Sequence, residues 1–579
     1  MAPVTKIVLV AALSAALCLG EEYPRTEVVR TSTGPVRGIV KRTPWHNVTY
    51  NAFLGIPYAV PPLGSLRFKA PVPIEPWNKT FEATRQGLVC AQIDFFSTDY
   101  IGVEDCLSVN VATREIGNSS QLKPVMLWIY GGAFFAGYSN FSLYGPDFFL
   151  EEDVVFASFN YRVGAPGFLA LDLPDAQGNA AMKDQVLAMQ WVHKNIAAFG
   201  GDPDRITIFG ESAGGTSVGL HLLSEKSKGL FKQAIMQSGT PLTQWGIHTP
   251  DKAYVNARNL AAILGYNGVG DEGLLEFLHG VPIKEMVLTT LQVDVGFLPF
   301  RPTIENPKNS LDGSAFLTEC PIHLFESGKF NKVPVMMGRT LDESLFFINY
   351  MVGKDGKHSQ SIATLLRYAM GVNKIVDQVL GSVTAMMIDM TPDALTELVV
   401  DLGTATMFTA PIDLTQKLMA KDNGGFPIYY YLLSYRTPWS VHSLLGDTVN
   451  GTAHVDDVGY LFNVEKLNAP KDPEHPLNVF RKKMVTLWAN FAKYGNPTPR
   501  NVKTKGHAFD VIWPDSTATG AQLEINEDAV VRERAIDMLT ATYQDGLKER
   551  LPSETACDLS ASSAESTTKA SGLLSVLFK

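Results

Sequence analysis

The segment Arg205-Ile206-Thr207-Ile208-Phe209-Gly210-Glu211-Ser212-Ala213-Gly214-Gly215 constrains this chain most, because a buried strand there must break into a helix through a G-x-S-x-G turn. A side chain at Gly210 or Gly214 would crowd the tight turn that lifts the Ser212 hydroxyl above a sheet. With 48 glycines among 579 residues, the bare pattern arises by chance about 0.2 times per chain, so context must decide. A second match, Gly215-Thr216-Ser217-Val218-Gly219, has no strand before it and falls inside the helix that Ser212 opens. Ser212 is therefore the candidate nucleophile.

Apolar, β-branched runs recur at Val125–Ile129, Val154–Phe159, Ile206–Phe209, Ala234–Met236, Val333–Met337 and Ile428–Leu433, with an amphipathic helix expected over about Ala180–Phe199. Continuous apolar strands separated by helices predict an α/β fold, a large, mostly parallel sheet covered on both faces. Ligands then bind at the carboxyl ends of the strands.

Three further strand ends carry chemistry. Tyr130-Gly131-Gly132-Ala133-Phe134 follows the first run, and its small residues let backbone N–H groups approach a ligand oxygen beside the N–H of Ala213. Gly338-Arg339-Thr340-Leu341-Asp342-Glu343 follows the fifth and offers a carboxylate. Gly451-Thr452-Ala453-His454-Val455-Asp456-Asp457 follows the sixth after a long loop and offers a histidine, the side chain that is half-neutral near pH 7 without large tuning. Ser212, Glu343 and His454 stand in the order nucleophile, acid, base of an α/β-hydrolase. Asp342 is the alternative acid and His442 the alternative base. His442 reads as a surface histidine whose replacement leaves turnover nearly intact.

With these segments in hand, the chain resembles the type-B carboxylesterase, or cholinesterase-like, family, and within it the secreted esterases of insects. The resemblance runs from about Thr33 to Asn526 and includes Phe53-Leu54-Gly55-Ile56-Pro57-Tyr58-Ala59, Glu104-Asp105-Cys106-Leu107-Ser108-Val109-Asn110-Val111, and Asn195 through Asp202-Pro203. It implies the α/β-hydrolase fold, a small-molecule ester substrate and no cofactor. It assigns the acid to Glu343, the base to His454, and the oxyanion donors to Gly132, Ala133 and Ala213. Glu211 and Ser238 fall at supporting positions beside the triad, and Phe134, Trp245, Phe297 and Leu298 at the substrate pocket.

Lys6 and the apolar run Ile7–Leu17, closed by Cys18-Leu19-Gly20, read as a signal peptide over residues 1–20. Residues 21–552 carry no Pro/Gly/Ser linker and read as one catalytic domain, while residues 553–579 form a Ser/Thr-rich tail expected to be disordered. The apolar run at Gly572–Phe578 is shorter than the roughly 10–20 residues a GPI signal needs, so membrane anchoring is not expected. Secretion fits the sequons at Asn47, Asn78, Asn118, Asn140 and Asn450. A net charge of −10 argues against a nucleic-acid partner, and no C-x-x-C or H-E-x-x-H marks a metal site. Cys90 and Cys106 close a short loop expected to pair in an oxidising compartment. Cys320 and Cys557 are expected to be free or variably paired. Nothing in the sequence sets the oligomeric state.

The chain departs from the family in one telling place. Cholinesterases place a Trp in the loop corresponding to Cys90–Cys106, where its face binds a quaternary ammonium. Here the loop has Phe95, Phe96 and Tyr100, with Asp94 and Asp99, and no Trp. Choline esters are accordingly disfavoured. Juvenile hormone esterases usually carry Gln before the nucleophile, where this chain has Glu211. The family also holds catalytically silent adhesion proteins, which typically lose Ser or His. The complete constellation here favours an enzyme.

Overall fold

A computed structural model describes residues 23–94, 97, 99–117, 121–293, 298–310, 313–347, 391–445, 450–500, 509–534 and 544. The expected signal peptide and tail, Asn118, Phe95, Phe96, Phe297 and Cys557 lie outside the described residues.

Among the described residues one sheet of 13 strands runs through the molecule. Its main strands are β1 (Arg25–Thr31), β2 (Gly34–Arg42), β3 (Thr49–Pro57), β4 (Ser108–Thr113), β5 (Lys123–Ile129), β6 (Val155–Phe159), β7 (Gly201–Glu211), β8 (Gln233–Gln237), β9 (Val335–Thr340), β10 (Ile428–Leu433), β11 (Gln522–Ile525) and β12 (Ala529–Arg532). They lie in the order 1-2-3-4-6-5-7-8-9-10-11-12, and the short strand Phe81–Glu82 pairs beside β2. The sheet is parallel from β6 through β11. The flank β1 to β4 is antiparallel, as is β12, because tight connections such as Thr31 to Gly34 reverse the chain without a crossover helix.

The central strands are rich in apolar residues because both faces are covered: β6, β8 and β10 are buried at every residue, the polar Ser158, Gln233 and Gln237 included. Helix α1 (Ala180–Asn195) ends in a 3₁₀ turn, Ile196–Phe199, so the expected helix is two elements in series. Helix α2 (Ala213–Leu223) is buried along its whole length. Its glycines permit the close approach: a Cβ on Gly215 would fall 2.6 Å from the Gln237 carbonyl oxygen. Helices α3 (Pro392–Thr404) and α4 (Ala410–Ala420) are joined by the π-helical turn Ala405–Thr409. Helix α5 (Asp456–Leu461) packs on α6 (Pro476–Tyr494). The carboxyl ends of β5, β7, β8, β9 and β10 thus face the loops that bear Gly132, Ser212, Ser238, Glu343 and His454.

Candidate active site

Ser212 sits between β7 and α2 with φ 59° and ψ −123°, a conformation L residues rarely adopt. The glycines around it make that turn possible by contact. A Cβ on Gly210 would stand 2.6 Å from the Gly214 carbonyl carbon, and one on Gly214 would stand 2.1 Å from the Ile129 carbonyl oxygen. The Ser212 N–H donates to the Gln237 carbonyl at 2.8 Å, tying the turn to the next strand. Alongside runs the loop after β5, where Gly132 takes φ 115° and Ala133 φ 55°. A Cβ on Gly131 would lie 3.0 Å from Ser212 Cβ. The N–H groups of Gly132 and Ala133, and that of Ala213 at the head of α2, donate to no acceptor among the described residues. Three unclaimed donors therefore flank one hydroxyl.

His454 Nδ1 lies 2.6 Å from Glu343 Oε2, while the His454 N–H donates to the Glu343 carbonyl at 3.1 Å. Glu343 is held in turn by the Thr340 N–H at 2.8 Å to Oε1. With Nδ1 occupied, Nε2 faces the β7 turn, 3.2 Å from Glu211 Oε1. That contact lacks hydrogen-bond alignment, so it acts through charge. Asp457 completes the group, accepting from Gln237 Nε2 at 2.7 Å and from the Tyr431 hydroxyl at 3.3 Å. Gln237 also receives the Trp488 indole N–H at 3.0 Å.

Three carboxyl groups thus crowd one buried imidazole. Burial pushes Glu211 well above the usual carboxyl range; His454 opposes this, while Asp457 and Glu343 add to it. Burial likewise pushes Asp457 up to about 6. Burial pulls His454 down, but Glu211, Glu343 and Asp457 outweigh it and push the imidazole up to about 9. The site holds its proton more tightly than free imidazole does.

Ser217 lies inside α2 as its sequence context predicts, donating to the Ala213 carbonyl at 2.8 Å. Other expectations meet a different structure. Asp342 turns away from the imidazole: its Oδ2 accepts the Thr452 N–H at 2.9 Å and lies 3.5 Å from Arg436. His442 is buried rather than superficial, 2.7 Å from Asp456. The fully buried Phe134 packs edge-on to Phe168 at 5.4 Å, so its ring is core and not pocket wall. Leu298 is buried at φ 75°, its carbonyl accepting from His248 at 3.2 Å. Ser238 is buried with its hydroxyl bonded to no group among the described residues.

Trp245 belongs to a chain of rings that extends to His454. Its ring is 6.0 Å from Phe408, which packs 4.8 Å from the His454 imidazole, with Phe347 at 5.6 Å. Phe408 arrives on the π-helical turn. Sequence reasoning missed it, since a π-turn has no composition signal. Gln237 was likewise missed, while Asp457 was visible only as one of two acids after His454.

Cys90 and Cys106 are joined, with Cα atoms 4.9 Å apart. Cys320 is also disulfide-bonded, which overturns the expectation that it is free or variably paired; its partner lies outside the described residues. Within the Cys90–Cys106 loop the Tyr100 hydroxyl donates to the Gly102 carbonyl at 3.2 Å, and the Lys284 ammonium sits 5.8 Å over its ring. Asn47, Asn78 and Asn450 are exposed, whereas Asn140 is half-buried and its amide oxygen accepts the Ser142 N–H. No helix among the described residues is long and apolar enough to cross a membrane.

Residues 25–542 match the model of the carboxylesterase family. The chain belongs to this family. It is 34% identical over 511 residues to a juvenile hormone esterase of Tribolium castaneum, covering 82% of this chain and 85% of that one. It is 33% identical over 537 residues to a cholinesterase of Mus musculus, covering 87% and 84%. With esterase B1 of Culex pipiens it shares 42% identity over 331 residues, 55% of this chain and 60% of that one. As a carboxylesterase-family enzyme the protein hydrolyses carboxylic esters.

Proposed function

We propose that this chain is a secreted serine carboxylesterase for neutral, apolar esters, with Ser212 as nucleophile, His454 as general base and Glu343 as the acid that orients it. The supporting observation is the imidazole gripped at Nδ1 by Glu343 with Nε2 turned to the Ser212 turn. Nε2 takes the Ser212 proton as Oγ attacks the ester carbonyl. The N–H groups of Gly132, Ala133 and Ala213 receive the oxyanion. His454 then protonates the departing alcohol, leaving an acyl group on Ser212, and water activated by the same imidazole releases the acid. Burial raises the Glu211 carboxyl well above its usual range, and His454 opposes that rise across the 3.2 Å from Glu211 Oε1 to Nε2.

Secretion is supported by the leader-like residues 1–20, the exposed sequon asparagines and the Cys90–Cys106 bridge, which forms in oxidising compartments. Likeness to the beetle enzyme favours a second reading, a juvenile-hormone-type ester, and Glu211 in place of Gln weighs against it. A silent adhesion role has no use for three unclaimed N–H donors beside an oriented histidine.

An organophosphate should label Ser212 stoichiometrically, read by peptide mass mapping of the inactivated protein. Ser212→Ala should abolish the label and lower kcat by roughly 10⁴–10⁶-fold. Recovery of the label on Ser217 would overturn the assignment.

A further inference from the structure

A second histidine–carboxylate pair, unused by the acyl transfer proposed above, grips the loop that carries His454. His442 lies in the turn His442–Leu445, and Asp456 opens α5. His442 Nδ1 is 2.7 Å from Asp456 Oδ2, and the His442 main-chain N–H donates to Oδ1 at 3.1 Å. Asp456 Oδ2 also accepts the Ala453 N–H at 2.8 Å. Both side chains are buried, His442 with 4% of its surface exposed and Asp456 with none. One carboxylate therefore closes a ring across Ala453-His454-Val455-Asp456.

Inside that ring Val455 takes φ 67° and ψ −1°. A β-branched residue in the left-handed region is strained, and such a conformation persists only where its surroundings over-determine it. If Val455 relaxed toward extended backbone, the loop would rotate at the residue next to His454. The pairs Nδ1 to Glu343 and main-chain N–H to the Glu343 carbonyl would then separate.

We propose that His442 is a positioning residue for His454: through Asp456 it clamps the Ala453–Asp456 turn in the strained form that aims the imidazole. The inference rests on His454 being the general base. Burial raises the Asp456 carboxyl, and His442 opposes that rise. Without His442 the carboxyl gains a proton more readily and becomes a poorer acceptor for the Ala453 N–H.

The test compares His442→Ala and His442→Asn, each made alone and together with Val455→Gly, using kcat per site titrated by an organophosphate. His442→Ala should lower kcat about tenfold with KM changed less than about twofold, the signature of a misaimed base rather than lost binding. His442→Asn, which keeps an N–H near the position of Nδ1, should recover kcat to within about threefold. In the Val455→Gly background, where the backbone adopts positive φ freely, His442→Ala should cost less than about twofold. Wild-type kcat per site in His442→Ala, or an equal loss in both backgrounds, overturns the clamp. Where His442→Ala is not secreted, the near-isosteric Asp456→Asn carries the comparison, and unchanged kcat there overturns it equally. His454→Ala separates the two readings: if it keeps its turnover, the general-base assignment fails whatever His442 does.

Discussion

The turn at Ser212 and the turn at Val455 both hold a non-glycine residue at positive φ, 59° and 67°, yet they are held in opposite ways. At Ser212 the restraint is local. Gly210 and Gly214 touch across the turn, Gly214 lies against Ile129, and the Ser212 N–H is tied to β8. At Val455 main-chain bonds, such as the Asp456 N–H to the Ala453 carbonyl at 3.1 Å, are joined by remote side chains: Asp456 bonded to His442, and Asp342 bonded to Thr452. Backbone contact leaves no slack. A clamp of side chains can be loosened one bond at a time.

The sharpest way to break this comparison is to add one methyl group to the first turn. Gly214→Ala places a Cβ 2.1 Å from the Ile129 carbonyl oxygen and 2.9 Å from the Tyr130 carbonyl, main-chain atoms rather than the ends of flexible side chains. Stability should fall by roughly 3 kcal/mol or more, a cost expected when a buried backbone approach is overpacked. Urea unfolding followed by tryptophan fluorescence measures it. A wild-type midpoint would show that the Ser212 turn is as compliant as the Val455 turn.

The same difference explains what could be read in advance. A turn held by its own glycines writes its signature into five consecutive residues, so the strand-turn-helix at Ser212 and the helical place of Ser217 were legible from the chain alone. The parallel strands were readable for a similar reason, since burial on both faces demands unbroken apolar runs. His442 was misread because its burial depends on Asp456, fourteen positions away, and no local pattern reports that pairing. Phe134 was misplaced because an aromatic after a glycine pair fits a pocket wall or a core equally well until Phe168 is seen beside it. The antiparallel flank gave weaker signals, being short strands with partly exposed faces.

Protons test how the two turns communicate, because Glu211 from one faces His454 from the other. The base must be neutral to act, so kcat/KM should rise about tenfold per pH unit up to a midpoint well above the 6.5 of free imidazole and near about 9. Stability should run the other way. A folded value above the unfolded one means that His454 contributes stability fully below pH 6.5 and loses it as pH climbs through about 9. Glu343→Gln removes a carboxylate at 2.6 Å and should move the midpoint down. Rate profiles and melting temperatures over the same buffers check both signs. A wild-type midpoint at or below 6.5 would mean that burial outweighs the carboxylates.

The smallest effect concerns substrate choice, and it extends the contrast to a loop closed by a covalent bond. Cys90–Cys106 fixes the ends of this loop, while its face toward a ligand is set by side chains. Without a Trp, a choline headgroup forgoes an attraction of roughly 0.5–2 kcal/mol, about 2–30-fold in affinity. Tyr100 is poorly placed to substitute, since the Lys284 ammonium already lies over its ring and repels a second cation. A neutral ester loses nothing by the same arrangement and gains contact with the wall of Trp245, Phe347 and Phe408. With acyl groups matched, kcat/KM should therefore favour the neutral ester by about 2–30-fold. Lys284→Ala should narrow that gap by freeing the Tyr100 face, with little change for the neutral ester. A choline ester that proves the better substrate of the wild-type enzyme would mean that the loop builds a cation site from its other residues, and the preference for neutral esters would have to be given up.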